Sequence, residues 1–389
     1  MSSPGGNATQ QDGGPSTGTR SGDGTEPSQG DGVGLAEGID HQVAMVMDLN
    51  KCIGCQTCTI ACKTLWTDSG GRDYMYWNNV ETQPGEGYPR NWAEGGGGFT
   101  SAEQAADQSH GNYRAGQLPS EEDYGRAWEF NHAELMYDGS DAPLRPQGER
   151  PEWGPNWDED QGAGEYPNSY YFYLPRICNH CTHPSCAEAC PRKAIYKRAE
   201  DGIVLVDQER CRGYRYCVEG CPYDKVYYNV LRKRSEKCIF CYPRIEGAGP
   251  SEGTTGLVEG DAIPPACATE CPPQLRMVGY LDDEDGPIYK LVEEYGVALQ
   301  LHPEFQTMPN VYYVPPFAPP QLSESGETVD VDRIPRSFLV ELFGEGVHEA
   351  LDTIEREREA VQRGKESELM DLLTTKNPAR QYRLEVFNQ

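Results

Sequence analysis

The sequence predicts an α+β protein whose short helices and strands are joined by long irregular loops. It contains 43 glycines and 30 prolines among 389 residues, which favour turns over long regular elements. The apolar run at residues 43–47, bounded by polar residues, is typical of a strand. Apolar spacing in Glu- and Arg-rich sequence predicts three short helices near the C-terminus, over residues 337–343, 347–363 and 366–373.

Composition and charge exclude several classes of protein. The formal net charge is −28, with 62 acidic residues against 34 basic ones. This balance is the opposite of the basic footprint of a nucleic-acid-binding protein. No stretch approaches the roughly 18 apolar residues of a membrane-spanning helix. The acid excess, with only 10 lysines, indicates a halophilic protein, because a dense carboxylate surface keeps proteins soluble in salt. An ordinary acidic protein is the alternative.

The chain divides into regions of different composition. Residues 1–40 are mainly small and polar and are predicted to form a disordered acidic tail, without an apolar secretory signal or a twin-arginine motif. Residues 67–169 carry 20 acidic and 6 basic residues but no cysteine. Their aromatic residues favour a packed, partner-facing insertion over disorder. Residues 176–244 are instead positive, with 14 basic and 8 acidic residues and nine of the 15 cysteines, as suits negatively charged metal–thiolate clusters.

All 15 cysteines fall into four groups with the spacings of iron–sulfur ligands. The first group, Cys52-x2-Cys55-x2-Cys58-x3-Cys62, has the bacterial ferredoxin spacing, although Lys63 replaces the usual closing proline. The others are Cys178-x2-Cys181-x4-Cys186-x3-Cys190-Pro191, Cys211-x5-Cys217-x3-Cys221-Pro222, and Cys238-x2-Cys241 with Cys267-x3-Cys271-Pro272. Zinc is the main alternative, because the split fourth group alone resembles a zinc site. The odd cysteine count disfavours a disulfide scaffold.

Fifteen cysteines are one fewer than four [4Fe–4S] clusters require. The third group lacks the cysteine expected three residues after Cys211, where the sequence has Tyr214. The economical interpretation is three [4Fe–4S] clusters and one [3Fe–4S] cluster, with Tyr214 filling the vacant corner as a non-ligand. A fourth [4Fe–4S] cluster with one oxygen ligand is the alternative, although thiolate is the usual ligand.

In two-cluster ferredoxins the fourth cysteine of each motif serves the other cluster, so groups one and four pair, and groups two and three pair. This rule predicts four sets of ligands, which are called sets 1 to 4 below. Set 1 is Cys52, Cys55, Cys58 and Cys271; set 2 is Cys62, Cys238, Cys241 and Cys267. Set 3 is Cys178, Cys181, Cys186 and Cys221; set 4, for the three-iron cluster, is Cys190, Cys211 and Cys217.

The pairing predicts two bicluster ferredoxin-like modules with long irregular insertions and a helical C-terminal region. The first module combines residues 41–66 with 237–282, and the second spans 170–236, after the acidic insertion 67–169; the C-terminal region is 283–389. His180 and His183 lie inside the second cysteine group. Because the cysteine assignment is complete without them, they are expected to pack behind the ligands rather than to bind iron.

Five segments carry a resemblance to a known family: residues 49–55 (LNKCIGC), 77–82 (WNNVET), 154–157 (GPNW), 236–246 (EKCIFCYPRIE) and 301–304 (LHPE). The chain resembles the iron–sulfur β subunits of type II molybdenum enzymes of the dimethyl sulfoxide reductase family, over roughly residues 43–320. In respiratory nitrate reductases of this family, the position of Tyr214 is a tryptophan beside a three-iron cluster.

The resemblance implies an electron-transfer subunit that is not an enzyme by itself. It would connect a haem-bearing γ or membrane subunit, facing set 4, with a molybdopterin catalytic α subunit, facing set 1. A respiratory nitrate reductase is the first expectation; selenate, chlorate, dimethyl sulfide and ethylbenzene enzymes, whose β subunits have similar lengths, are alternatives. A zinc-stabilised interaction scaffold is the alternative of another class. The complex is expected on the outward face of the membrane by co-export with a partner, or else on the cytoplasmic face.

Overall fold

The helices and strands are short, as the glycine and proline content predicts. The computed structural model describes residues 38–72, 75–85, 162–246 and 262–384, with short stretches between residues 125 and 153. These residues all belong to one compact unit. Most of the predicted tail 1–40 and much of the predicted insertion 67–169 lie outside the described residues.

Strands within the described residues are numbered in chain order. They are β1 Val43–Asp48, β2 Asn79–Gln83, β3 Gly125–Arg126, β4 Glu129–Phe130, β5 Pro146–Gln147, β6 Glu152–Trp153, β7 Phe172–Arg176, β8 Ile195–Lys197, β9 Val204–Val206, β10 Val226–Asn229, β11 Arg234–Lys237, β12 Arg276–Tyr280, β13 Leu299–Gln300 and β14 Val311–Val314.

The α-helices are numbered in the same way. They are α1 Thr57–Trp66, α2 Ser185–Glu188, α3 Tyr216–Glu219, α4 Tyr242–Ile245, α5 Ala266–Thr269, α6 Pro287–Tyr289, α7 Arg336–Phe343, α8 Val347–Gln362 and α9 Glu368–Leu373. A π-helical turn, Lys290–Glu294, continues α6, and 3-10 turns occupy Leu49–Lys51, Pro303–Phe305 and Pro378–Arg380.

The predicted strand near residue 43 lies inside a four-stranded mixed sheet. β1 pairs antiparallel with β12, with Met45 opposite Val278, and parallel with β14, with Met45 opposite Val311. β13 completes the sheet beside β14. All six residues of β1 are buried, which explains why the strand is a continuous apolar run rather than an alternating one. β12 and β1 bring the two halves of the predicted first module together.

The predicted second module contains two local hairpins and a helix pair. β8 pairs with β9 and β10 pairs with β11, both antiparallel. Helices α2 and α3 contact each other, and α1 contacts α5 in the same way. Each of these four helices carries at least one cysteine, so the two helix contacts bring together cysteines that are distant in sequence. β2 and β7 pair antiparallel at the start of this region.

The three predicted C-terminal helices are present, with small differences at their ends. The structure begins the last one at Glu368 rather than at residue 366, because Ser367 caps it by accepting a hydrogen bond from the Met370 amide. Val347, Ala350 and Ile354 form the buried stripe of α8. None of the described helices is long and apolar enough to cross a membrane.

Candidate metal centres

The cysteines of set 2 surround a buried cavity of about 330 Å³. α1 contributes Cys62 and α5 contributes Cys267, while Cys238 and Cys241 flank the turn before α4. Apolar side chains, including Trp66, Trp77, Ile177 and Phe240, complete the walls. Burial raises the pKa of Cys62, and the neighbouring Cys238, Cys267 and Cys241 raise it further. The structure therefore brings together all four cysteines predicted to share this site.

The cysteines of set 3 surround a second cavity, of about 350 Å³. The cavity is lined by all four of them, Cys178, Cys181, Cys186 and Cys221, together with backbone and side chains of the adjoining loop. Burial raises the pKa of Cys181 to about 12, and Cys178 and Cys221 add to the shift. These four residues come from the loop after β7, from α2 and from the end of α3.

Sets 1 and 4 also assemble, but nearer to the surface. Burial raises the pKa of Cys52 to about 11, with Cys58 and Cys271 adding to it. Burial likewise raises the pKa of Cys217, with Cys190 and Cys211 as the neighbouring thiols. Within set 1, Cys55 is exposed and Cys52 half-buried; within set 4, Cys190 is half-buried. Every cysteine of sets 2 and 3 is buried.

The four sets form a row. Cys58 of set 1 and Cys267 of set 2 are close enough for the first to raise the pKa of the second, after burial and Cys241. Cys178 of set 3 acts in the same way on Cys238 of set 2, after burial. Sets 3 and 4 alternate along α2 and α3, which contact each other. The order is therefore set 1, set 2, set 3, set 4, with buried sets in the middle and partly exposed sets at both ends.

The donor chemistry fits iron–sulfur clusters better than free thiols. All 15 cysteines are unbridged by disulfides, and burial makes several thiolates costly because no positive charge is present inside the voids. Iron would supply that charge and hold coordinating thiols deprotonated. Among the described residues, no three His, Cys, Asp or Glu side chains converge where a single metal ion would fit. The two enclosed voids, each lined by four sulfurs, match the donor set of a cubane.

Several N–H groups already point at the sulfurs. The indole Nε1 of Trp66 donates to Cys241 Sγ over 3.0 Å. Backbone amides of Ala194, Ser235 and Phe240 donate to Cys190, Cys211 and Cys238, over 3.3, 3.4 and 3.4 Å. Such donors stabilise the negative charge of a thiolate, and of a metal cluster bound to it.

His180 is fully buried beside set 3, and its Nδ1 accepts a hydrogen bond from the Val204 amide over 3.1 Å. Its ring packs edge-on against Phe240. Burial lowers the pKa of His180 well below 6.5, and the neighbouring ammonium groups of Lys237 and Lys197 lower it further. His180 is therefore a neutral packing residue behind the cysteines.

Comparison with known proteins identifies the family. A model described as a 4Fe-4S dicluster domain matches residues 169–281. The chain is 74% identical to the respiratory nitrate reductase subunit beta of Haloferax mediterranei, over 92% of this chain and 97% of that protein. The chain belongs to the iron–sulfur β subunits of the dimethyl sulfoxide reductase family. It is also 57% identical to the dimethylsulfide dehydrogenase subunit beta of Rhodovulum sulfidophilum (86% and 96% covered), and 37% identical to the respiratory nitrate reductase 1 beta chain of Escherichia coli (79% and 77% covered).

Tyr214 of this β subunit lies just before α3, at the position that lacks a cysteine. The residue is 56% exposed, and so is its neighbour Tyr216, at 57%. Its ring is thus largely outside the protein interior. That Tyr214 fills the vacant corner beside set 4 stays a prediction.

Two site residues of this β subunit were missed in the sequence. Arg276 and Lys237 are among the largest fully buried side chains, and both lie against the cysteines. Lys237 immediately precedes Cys238, inside a segment that carries the family resemblance. Arg276 stands at the start of the apolar strand β12, five residues after Cys271. A basic residue this close to a metal-binding cysteine was the available signal, since burial itself depends on tertiary packing.

Proposed function

We propose that this chain is the electron-transfer subunit of a respiratory nitrate reductase and is not an enzyme by itself. In this proposal it connects a haem- or quinol-linked partner with a molybdopterin catalytic subunit. The observation that carries it is the row of four cysteine sets, which is buried in its middle and reaches the surface at both ends. A one-electron carrier needs this arrangement, because its ends must meet partners while its interior stays dry.

Each set supplies the ligands of one cluster in this proposal. Sets 1, 2 and 3 hold [4Fe–4S] clusters and set 4 holds a [3Fe–4S] cluster, with Tyr214 beside it as a non-ligand. The bound clusters supply one-electron redox chemistry. The chain's own residues hold the iron through thiolates, direct N–H groups at the sulfurs, and exclude water from sets 2 and 3. The enclosed, four-sulfur cavities support this assignment.

The proposal includes two bicluster modules, 41–66 with 237–282 and 170–236. The antiparallel pair β1–β12 supports the first, since it joins segments more than 220 residues apart. The hairpins β8–β9 and β10–β11 and the α2–α3 contact support the second. The insertion 67–169 and the region 283–389 are the remaining parts of this division.

Exposed apolar side chains at both ends of the row support the two proposed partner contacts. Near set 1, Ile53 and Ile60 are 63% and 60% exposed. Near set 4, Tyr214 and Tyr216 are exposed to a similar extent. Exposed large apolar residues next to redox centres fit docking surfaces for the catalytic α subunit and for the haem-bearing γ or membrane subunit.

Nitrate is the proposed terminal substrate class because of the 74% identity to the nitrate reductase subunit beta. The second candidate is a β subunit of a selenate, chlorate or dimethyl sulfide enzyme, favoured by identities of 53% to 57% to such subunits. Assaying the anaerobically purified native complex with nitrate, selenate and chlorate as acceptors, and dimethyl sulfide as donor, separates these. Reduction of selenate or chlorate without nitrate would overturn the nitrate assignment.

The cluster assignment is tested by metal analysis and EPR on anaerobically purified protein. We expect about 15 irons per chain and the signal of an oxidised three-iron cluster. Fewer than about 12 irons, or no three-iron signal, contradicts the assignment. A colourless protein containing zinc would instead support the interaction scaffold.

We further propose that the complex is peripheral to the membrane and faces outward, exported together with a partner that carries the signal. Protease treatment of intact cells tests this location. Degradation of the chain in intact cells is expected, whereas degradation only after lysis would place the complex on the cytoplasmic side.

A further inference from the structure

Two fully buried cations lie at boundaries between neighbouring cysteine sets. Arg276 has no exposed surface and Lys237 has 2%. A lone buried charge is costly unless an opposite charge lies nearby. Among the ion pairs of the described residues, neither cation has a carboxylate partner. The nearest negative charges available to them are the thiolates.

Arg276 lies between sets 1 and 2. Its guanidinium interacts with Cys58 and Cys271 of set 1, and with Cys267 of set 2. It donates to the side-chain oxygen of Asn78 over 2.7 Å, while its Nε has no hydrogen-bond partner. Asn78 itself donates to Thr59, on α1. The arginine is thus held from one side by neutral polar groups and faces thiols of both sets.

Lys237 lies between sets 2 and 3. Its Nζ donates to Cys178 Sγ over 3.4 Å and to the Cys238 carbonyl over 3.0 Å, and it also donates to the Val204 carbonyl. These three acceptors use all three ammonium protons. Cys178 belongs to set 3 and Cys238 to set 2, and the charge also acts on Cys186 of set 3.

We infer that Arg276 and Lys237 are shared counter-ions that raise the reduction potentials of the two clusters on either side of each, an inference that rests on the proposed cluster ligation. One-electron reduction adds one negative charge to a cluster, and no bond to either cation forms or breaks. A fixed positive charge stabilises the reduced state of both neighbours. It also weakens the repulsion between two adjacent reduced clusters, so that an electron can enter one while the next is still reduced.

Other buried lysines provide a contrast. Lys197 interacts with Cys181 of set 3 alone among the cysteines, and Lys51 with Cys271 of set 1 alone. Each is a one-set cation. Arg276 and Lys237 differ because each acts on two sets, and together they occupy the first two of the three boundaries in the row.

The test is a mediated redox titration followed by EPR, on the full chain purified without oxygen in its native complex. The variants are Lys237→Gln and Arg276→Gln, with Lys237→Arg and Arg276→Lys as charge-retaining counterparts and Lys197→Gln as the one-set control. We expect Lys237→Gln to decrease the reduction equilibrium constants of clusters 2 and 3 at least about tenfold, which is about 59 mV for one electron. Arg276→Gln does the same to clusters 1 and 2, and Lys197→Gln affects cluster 3 alone.

The outcomes separate a redox role from a structural one. If the Gln variants keep their full iron content but no midpoint potential moves, the inference is wrong. If a Gln variant loses iron, the charge-retaining variant decides: restored iron with unchanged potentials for the remaining clusters in the Gln variant also overturns it. Absence of the four signals in the unmodified protein would instead refute the proposed ligation.

Discussion

The indole Nε1 of Trp66 donates a hydrogen bond to the sulfur of Cys241 over 3.0 Å. This contact joins the last residue of α1 to set 2, across a wide separation in sequence. It favours the thiolate form of Cys241 against the effect of burial, which raises the pKa of that thiol. The same donor stabilises the extra negative charge that a bound cluster acquires on reduction.

Trp66→Phe is expected to lower the midpoint potential of the set 2 cluster by about 20–60 mV, since one hydrogen bond to a charged sulfur is lost. A mediated redox titration monitored by EPR measures the shift. Trp77→Phe is the matched control, because Trp77 lines the same cavity but its Nε1 has no hydrogen-bond partner in the structure. Equal shifts in both variants would show that ring volume, not the hydrogen bond, sets the potential.

Replacing Cys267 by serine removes one ligand of set 2. We expect the iron content to fall from about 15 to about 11 per chain, with the signals of sets 3 and 4 retained. Electron transfer through the complex should then fall by orders of magnitude, because the row is interrupted at its second position. Thr269→Ser, an exposed position on the same helix, should leave iron content and turnover unchanged. Full iron in the Cys267 variant would contradict the set 2 assignment.

Tyr214→Cys should convert the three-iron cluster into a four-iron cluster, because it restores the missing thiol at the ferredoxin spacing. Loss of the oxidised three-iron EPR signal and a gain of about one iron per chain would demonstrate this. Tyr214→Phe separates the two interpretations of the site. It leaves the three-iron signal unchanged if the hydroxyl is not a ligand, and creates that signal if the phenolate binds a fourth iron.

Glu81 on β2 and Arg176 on β7 form a largely buried ion pair, 3.0 Å apart. Burial opposes ionisation of Glu81, yet Arg176 and Lys225 bring its pKa below the usual 4.5. The stabilisation is therefore complete above pH 4.5 and is lost as the pH falls through the lower, folded-state pKa. Glu81→Gln should lower the unfolding free energy by about 3 kcal/mol at pH 7, because it leaves Arg176 buried without a partner.

Urea unfolding at pH 7 and at acidic pH, in high salt, measures this effect. The difference between Glu81→Gln and the unmodified chain should shrink at the acidic pH. Glu359→Gln, which breaks an exposed pair with Arg363, is the control and should change stability by less than about 0.5 kcal/mol. A pH-independent difference for Glu81→Gln would show that packing, not charge, is responsible.

Local patterns sufficed for the elements whose burial follows their own sequence. The strand β1 and the helices α7, α8 and α9 were predicted within about two residues of their ends, because their apolar positions recur with a regular period. The cysteine groups likewise come together as the ferredoxin rule of ligand exchange requires. In contrast, the parallel pairing of Met45 with Val311 was not predicted, because nothing local specifies a partner more than 260 residues away.

The buried cations show the same limit inside the site. Lys237 and Arg276 have sequences of charged and apolar residues around them that are ordinary for strand ends. Only the folded chain brings Lys237 to Cys178, 59 positions earlier, and Arg276 to Asn78. Their roles depend on which sulfurs meet at each boundary, and therefore on tertiary structure.

The central strand of the mixed sheet has a consequence for biosynthesis. Val43–Asp48 leaves the ribosome early, but its two partners, Arg276–Tyr280 and Val311–Val314, follow only after most of the chain has been made. Until then its six residues, all buried in the finished protein, have no strand to pair with. The second module can close first, since its cysteines lie within one continuous stretch. Iron delivery to the nascent chain should therefore begin at the middle of the sequence and reach sets 1 and 2 last, while the unpaired strand is exposed to aggregation.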